Sequence, residues 1–281
     1  AKLKGRVPLI SVVLGASAGH GALAAVFSDY VVMTRNAALF SAGPHLVKVA
    51  LGQTVTADEL GGAAMHAATS GIAHALVEDE VSALEHARQY ISYFIPHALP
   101  AKVGEADHQQ GLLEIIPSDI MQPYDMNKVL VNIFDTGSVL ELQPYYGGSL
   151  ILALARLDAH PIMVVASQPA IMGGAITMEA ARKASHFLEI AGAFGLPVVF
   201  LCDTPGVMPG VEAEKAGTLK AAGAFYRAQS ELTGPKLHVT IRKAFGFGSS
   251  LMAMNPFDGQ TVTLAFPNAS LGAMPAKGGA D

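Results

Sequence analysis

Two glycine-bracketed turns in this sequence each place backbone N–H groups where negative charge would be received. Gly19-His20-Gly21 follows the apolar run Pro8–Leu14, and Gly246-Phe247-Gly248 follows Pro235–Phe245. Each turn leads from a β-rich segment into small and apolar residues suited to a helix. The first N–H groups of a helix lack intrahelical acceptors and lie at its positive end. Glycine lets the chain turn sharply and approach a ligand. Such amides stabilise an oxyanion, and each is worth a factor of roughly 100 to 1,000 in rate. The two stretches align without a gap, from Pro8 onto Pro235 through Gly21 onto Gly248. Asn36-Ala37-Ala38-Leu39 then recurs as Asn268-Ala269-Ser270-Leu271 after one short insertion. One strand–turn–helix–strand unit therefore occurs twice, which predicts a site with two anion-stabilising pockets.

Other residues compete for the chemistry. Gly15-Ala16-Ser17-Ala18-Gly19 matches the nucleophile elbow of serine hydrolases, with Asp203 and His238 following in hydrolase order. Against it, Ser17 aligns with Ala244 in the second copy, so the repeat shares a backbone and not a hydroxyl. His238 also falls in mid-strand, where a mobile catalytic histidine is not expected. Gly19–Ala24 resembles a dinucleotide fingerprint ending in Ala, but no acidic residue closes a second strand about 20 residues on. The histidines (His66 and His74, His97 and His108) lack metal-ligand spacing, so no metal site is expected and most are read as structural. Asp203 at a strand end is open to two readings, an acid–base group or an Asx-type turn.

The elements that position these groups alternate. Val7–Leu14 reads as a strand buried on both faces, Gly19–Phe27 as a helix and Asp29–Thr34 as a strand. Thr56-Ala57-Asp58-Glu59 is a capping box. Glu78–Phe94 carries an apolar helical face that stops at Pro96. Residues 96–123 read as a linker. Beyond it come a helix over Tyr124–Phe134 and strands over Val139–Gln143, Ser149–Ala155 and Pro161–Ser167. A helix over Thr177–Phe194 ends at Gly195. Strand Val198–Cys202 runs into the loop Asp203-Thr204-Pro205-Gly206, and Gly217–Leu232 is helical. Buried strands alternating with helices indicate an α/β layered fold in each half.

Composition narrows the function. Of 281 residues 51% are hydrophobic and 15% charged, which favours a well-buried globular protein over disorder. A net charge of −5 without a basic run points away from nucleic acid. The single cysteine, Cys202, excludes an intrachain disulfide framework and a Cys-ligated zinc. No apolar stretch reaches the roughly 18 residues of a membrane helix. The N-terminus enters a strand pattern without a signal-peptide core, so the cytoplasm is the expected location.

Taken together, the motifs resemble the carboxyltransferase (β) subunits of biotin-dependent acyl-CoA carboxylases, such as propionyl-CoA carboxylase. The resemblance rests in the first half on Gly15–Gly19, Ser28-Asp29-Tyr30, Phe40-Ser41-Ala42-Gly43-Pro44, Glu59-Leu60-Gly61-Gly62-Ala63 and Ser70-Gly71-Ile72-Ala73-His74. In the second half it rests on Pro123-Tyr124-Asp125-Met126, Ala166-Ser167-Gln168-Pro169, Asp203–Gly210 and Arg242–Gly246. It implies a crotonase-like ββα superhelix with two related domains. Residues 1–95 would be the C-terminal part of an acyl-CoA-side domain and residues 124–281 a biotin-side domain.

The implied reaction moves a carboxyl group from carboxybiotin, held on a separate carrier domain, to the α-carbon of an acyl-CoA through enolates. By resemblance, the Gly19 and His20 amides would serve the thioester, and the Phe247 and Gly248 amides the ureido carbonyl. Gly246, Ser249 and Ser250 would bind beside the second turn, with the two serines lining the acyl pocket. The cofactor itself would supply the base, which accounts for the absence of a convincing acid–base pair. Implied partners are a biotin carboxylase and biotin carrier subunit, and further copies of the chain in a homo-oligomer, a hexamer by resemblance.

Many family members have glycine where His20 and Phe247 stand. A backbone N–H survives any substitution except proline, so these side chains would reshape the pockets rather than remove a donor. Alternatives are the related acyl-CoA decarboxylase half-reaction, a non-catalytic assembly subunit, and the hydrolase. Relatives begin well upstream of Ala1, so the sequence is expected to be part of a longer protein. Half a crotonase-like domain would leave strand edges unpaired.

Overall fold

The computed structural model describes residues 2–95, 109–254 and 259–274. The chain divides into two compact units, Ala1–Pro96 with Gln143–Tyr146, and His97–Leu142 with Gly147–Asp281. Of the expected linker, residues 96–108 lie outside the described residues. Residues 109–123 contain a helix that belongs to the second unit, because Leu112, Ile115 and Ile116 pack against that unit's core.

The first unit runs β1 (Ile10–Val13), β2 (Ala16–Ala18), α1 (His20–Val26), β3 (Tyr30–Thr34), β4 (Ala38–Phe40), α2 (Pro44–Leu51), α3 (Ala57–Gly61) and α4 (Ala63–Met65). A π-helical turn (His66–Ser70), β5 (Ala75–Val77) and α5 (Glu80–Ser92) follow. Strands β1, β3 and β5 form a parallel sheet in the order β1-β3-β5, and β2 pairs with β4. Central β3 is buried along its whole length. The expected strand Val7–Leu14, read as buried on both faces, is shorter here. It covers Ile10–Val13 and only Val13 is buried, because β1 is an edge strand. The capping box forms, Thr56 Oγ1 accepting from the Glu59 N–H at 3.2 Å while Glu59 Oε2 accepts from the Thr56 N–H at 2.9 Å. Helix α5 lies on β3, with Tyr90 stacked on Tyr30 at 4.2 Å. Gln143 joins this unit through its N–H, which donates to the His74 carbonyl at 2.9 Å.

The second unit runs α6 (Gln109–Ile115), α7 (Met126–Ile133), β6 (Leu140–Leu142), β7 (Leu150–Leu157), β8 (His160–Ser167), a 3-10 turn (Met172–Gly174), α8 (Met178–Phe194) and β9 (Val198–Thr204). Then come α9 (Val211–Ala216), α10 (Thr218–Ser230), β10 (Lys236–Phe245), α11 (Gly248–Leu251), β11 (Val262–Ala265) and β12 (Ser270–Gly272). Its sheet has the order β11-β10-β9-β8-β7-β6, with β12 also on β10. Strands β6 to β8 are antiparallel and the rest parallel. Met126, Val129 and Leu130 of α7 cover one face of β7 and β8, and α8 packs against the same strands. Helix α8 ends where expected, at Gly195 with φ +64°.

The repeat read from the sequence is a repeat in three dimensions. Ile10 pairs with Tyr30 in the first copy, and the aligned Leu237 pairs with Val262 in the second. Ala16, Ser17 and Ala18 pair with Ala38, Leu39 and Phe40, just as Lys243, Ala244 and Phe245 pair with Ser270, Leu271 and Gly272. The copies differ in one respect. The first breaks its leading strand into β1 and β2, whereas β10 runs unbroken and changes partner partway along.

Lys183, midway along α8, is fully buried, and loss of hydration pulls its ammonium down to about 8 against the opposing pull of the Glu141 carboxylate. Between that value and the unfolded one near 10.5, the unfolded chain binds a proton that the native chain does not, so this group makes stability rise with pH. Burial holds the Cys202 thiol and the Tyr124 phenol above their ordinary values, which acts in the opposite direction above about pH 9. The melting temperature of the wild type relative to Lys183→Met is therefore expected to climb from pH 8 to pH 9, by up to about 1.4 kcal/mol of stability. A difference that stays level across that window would show that Lys183 keeps its proton.

Candidate active site at two matched turns

Both turns are built alike. Ala18 ends β2, and Gly19 takes φ +60°, a value natural to glycine; its N–H donates to the Phe40 carbonyl at 3.1 Å. In the second copy Gly246 takes φ +57° and its N–H donates to the Gly272 carbonyl at 3.0 Å. In each case the leading glycine's amide completes the pairing with the neighbouring strand. The amides that follow, His20 and Gly21 in the first copy and Phe247 and Gly248 in the second, meet no acceptor among the described residues. This corrects the expectation at the first turn. The Gly19 N–H is held by a strand carbonyl, and the open pair is His20 with Gly21, in register with Phe247 and Gly248. Gly246 likewise shapes its turn while its own amide faces the sheet.

The second turn is braced from beneath. Ser249 was expected to line a ligand pocket. Instead its side chain is buried and its Oγ donates to the Gly246 carbonyl at 2.7 Å, which holds the turn closed. Ser250 is half-buried, and its carbonyl accepts from Gln229 Nε2 at 3.4 Å. Gly248 lies against the loop after β9, and a Cβ there would stand 2.7 Å from Gly206 Cα. That loop is laced in place. Thr204 Oγ1 donates to the Gly174 carbonyl at 2.7 Å, the Gly206 N–H donates to Thr204 Oγ1 at 3.1 Å, and the Ile176 N–H donates to the Gly206 carbonyl at 3.0 Å. In the sequence Thr204 and Gly206 are read only as part of the loop after the strand, and Gly174 is not singled out. The Gly173-Gly174 doublet was the available signal, since Gly174 has φ +82° and lies against the Asp203 carbonyl.

Asp203 forms a buried ion pair and, among the described residues, no Asx turn. It is fully buried. Oδ2 accepts from Tyr124 Oη at 2.9 Å and from Arg242 Nε at 2.7 Å, and Lys243 Nζ lies 3.5 Å from Oδ1. Burial, then the adjacent carboxylate, hold the Tyr124 phenol far above its usual value. Arg242 Nη1 also donates to the carbonyls of Asp119 at 2.7 Å and Gln122 at 2.9 Å, which anchors the segment that precedes α7. A buried ion pair of this kind fixes geometry more surely than it adds stability.

Asp203 and His238 do not form the pair that a hydrolase would need. His238 gives both ring nitrogens away, Nδ1 to the Met252 carbonyl at 2.6 Å and Nε2 to Thr240 Oγ1 at 2.7 Å. Burial lowers its pKa, so the neutral ring is favoured. The polar contacts of Asp203 go to Tyr124, Arg242 and Lys243 and not to His238. Among the other histidines, His66 and His74 are structural, as expected. His66 bonds the Leu39 carbonyl and Ser70 Oγ, both at 2.7 Å, and His74 Nδ1 accepts from the Val31 N–H at 3.1 Å.

An apolar groove of about 610 Å³ adjoins the first turn, with Gly19, Leu23, Leu39, Phe40, Val47 and Leu60 in its wall. No local pattern announces it, because its walls come from α1, β4, α2, α3 and the π-helical turn.

The carboxyl transferase domain family matches residues 1–281. The methylmalonyl-CoA carboxyltransferase 12S subunit of Propionibacterium freudenreichii subsp. shermanii is 35% identical over 286 residues, 100% of this chain and 54% of the relative. The biotin-dependent long chain acyl-coenzyme A carboxylase beta4 subunit of Mycobacterium tuberculosis is 37% identical over 287 residues, 99% of this chain and 55% of the relative. The crystal structure of transcarboxylase 12S, a hexamer assembly with hydrolysed methylmalonyl-coenzyme A bound, superposes with a TM-score of 0.92 at 36% identity, covering 99% of this chain and 56% of that one. The chain thus spans about half the length of the curated relatives it matches. The fold is crotonase-like, as expected.

Proposed function

We propose, because the chain belongs to the carboxyl transferase domain family, that the whole protein transfers a carboxyl group from carboxybiotin on a separate carrier domain to the α-carbon of an acyl-CoA. The observation that carries this reading is the matched pair of open amides, His20 with Gly21 and Phe247 with Gly248, at turns related by the repeat.

The His20 and Gly21 amides would receive the thioester oxygen and stabilise the charge that develops there as the α-C–H bond breaks. Donors fixed before the reaction need no reorganisation during it, which is the source of their catalytic value. The Phe247 and Gly248 amides suit a urea oxygen. They are two N–H groups without acceptors among the described residues, on a turn braced by Ser249 and Gly206, with no charged side chain among the groups named as bracing it. Bound carboxybiotin would supply both the carboxyl group and the base. Residues Thr204, Gly206 and Ser249 would hold the second pair of amides still, and the Asp203–Arg242 pair would keep β9 and β10 in register beside them. Partners in this reading are a biotin carboxylase with its biotin carrier, and further copies of the chain in a hexamer.

The test is carboxyl transfer by the full-length protein with its biotin-carrying partner, assayed with acetyl-, propionyl-, butyryl- and longer acyl-CoA. Labelled carboxylate is expected on the acyl-CoA, and Ser17→Ala is expected to leave the rate little changed. Acyl-CoA hydrolysis that vanishes with Ser17→Ala would restore the hydrolase reading. Net release of CO2 from an α-carboxylated acyl-CoA, with no transfer, would favour the decarboxylase.

A further inference from the structure

We infer that the protein selects an acyl group longer than propionyl, whose hydrocarbon tail lies in the groove beside the first turn. The inference rests on the carboxyl-transfer reading and adds the substrate's chain length to it. Gly19 lines the groove directly, and the two open amides are those of the next two residues. An acyl chain held by its carbonyl oxygen at His20 and Gly21 therefore starts at the groove's edge.

The wall decides what can occupy it. Among the described residues, no Asp, Glu, Lys or Arg lines the groove. His66 reaches the wall with both ring nitrogens already bonded to Leu39 and Ser70, so it offers a ligand carbon and not nitrogen. Ser41 is the one hydroxyl in the wall; the charged phosphates of a nucleotide would meet no cation there, and burying unpaired charge is costly. A saturated hydrocarbon tail loses nothing by entering. About 610 Å³ lies within the range of sites that enclose whole small molecules, and is far more than the short tail of a propionyl group would fill. Leu23 on α1 and Val47 on α2 stand in the wall, and are the residues whose size sets the length accepted.

The experiment is carboxyl transfer to saturated acyl-CoAs from acetyl to lauroyl by the full-length protein with its partner, together with calorimetric Kd values for the same series. Both kcat/KM and affinity are expected to rise roughly four-fold per added methylene until the groove is full. Val47→Phe is expected to lower the octanoyl-to-propionyl ratio of kcat/KM by about 10-fold or more. Leu23→Phe should act the same way, and since Leu23 is 60% exposed this variant does not strain the core. A wild type that prefers acetyl- or propionyl-CoA overturns the inference, as do variants that slow every chain length equally. Loss of oligomers in Val47→Phe with an unchanged chain-length profile would assign the groove to a second copy of the chain and overturn it too. If no acyl-CoA is carboxylated, the carboxyl-transfer reading fails. The calorimetric series then decides the groove separately, a Kd indifferent to chain length counting against it.

Discussion

Replacing His20 by proline is expected to slow carboxyl transfer by about 100- to 1,000-fold while the protein remains folded. His20 is the first residue of α1, the position where a helix tolerates proline best, because the N–H lost there has no intrahelical acceptor. In this structure that N–H also has no other acceptor among the described residues, so its loss costs the fold little. What disappears is one of the two open amides proposed to receive the thioester oxygen. His20→Gly keeps the amide and is expected to keep most of the rate, separating the backbone group from the imidazole. The readout is kcat for the full-length protein with its partner, beside a melting curve. A His20→Pro protein with wild-type turnover would remove the first turn from the chemistry.

Gly248→Ala carries the second large effect. The added methyl would meet Gly206 Cα at 2.7 Å and Gly206 C at 3.0 Å, both backbone atoms. Gly206 cannot easily yield, because its N–H is held by Thr204 and its carbonyl by Ile176, and at φ +122° it already occupies a conformation reserved for glycine. The element that moves is α11, four residues long, together with the Phe247 and Gly248 amides. Overpacking costs about 1–3 kcal/mol of stability, and a displacement near 1 Å at a reacting site costs about 100-fold in rate. The expected result is a folded enzyme slowed at least 100-fold. Gly21→Ala is the contrast. Its methyl would meet only Ser17 Oγ, the end of a side chain, at 2.5 Å, so a mild effect relieved by adding Ser17→Ala is expected. Wild-type kinetics and melting for Gly248→Ala would show that the loop after β9 does not position the turn.

The sequence on its own determined the doubled unit, since the aligned glycines and apolar runs obey backbone rules that act over a few residues. Cap residues such as Thr56, Glu59 and Gly195 were legible for the same reason, because a helix end is satisfied by its near neighbours. Motif resemblance then led to the carboxyltransferase family. Only the tertiary structure decided which amides stay open. Gly19 and Gly246 look like donors in the sequence, but Phe40 and Gly272, each on a later strand, accept their protons, and strand register couples residues that no local pattern links. The same holds for Asp203, whose partners Tyr124 and Arg242 lie on either side of it in the chain, and for Ser249, which points inward. The groove beside Gly19 likewise exists only once several elements meet, because cavity shape belongs to packing and not to any one segment.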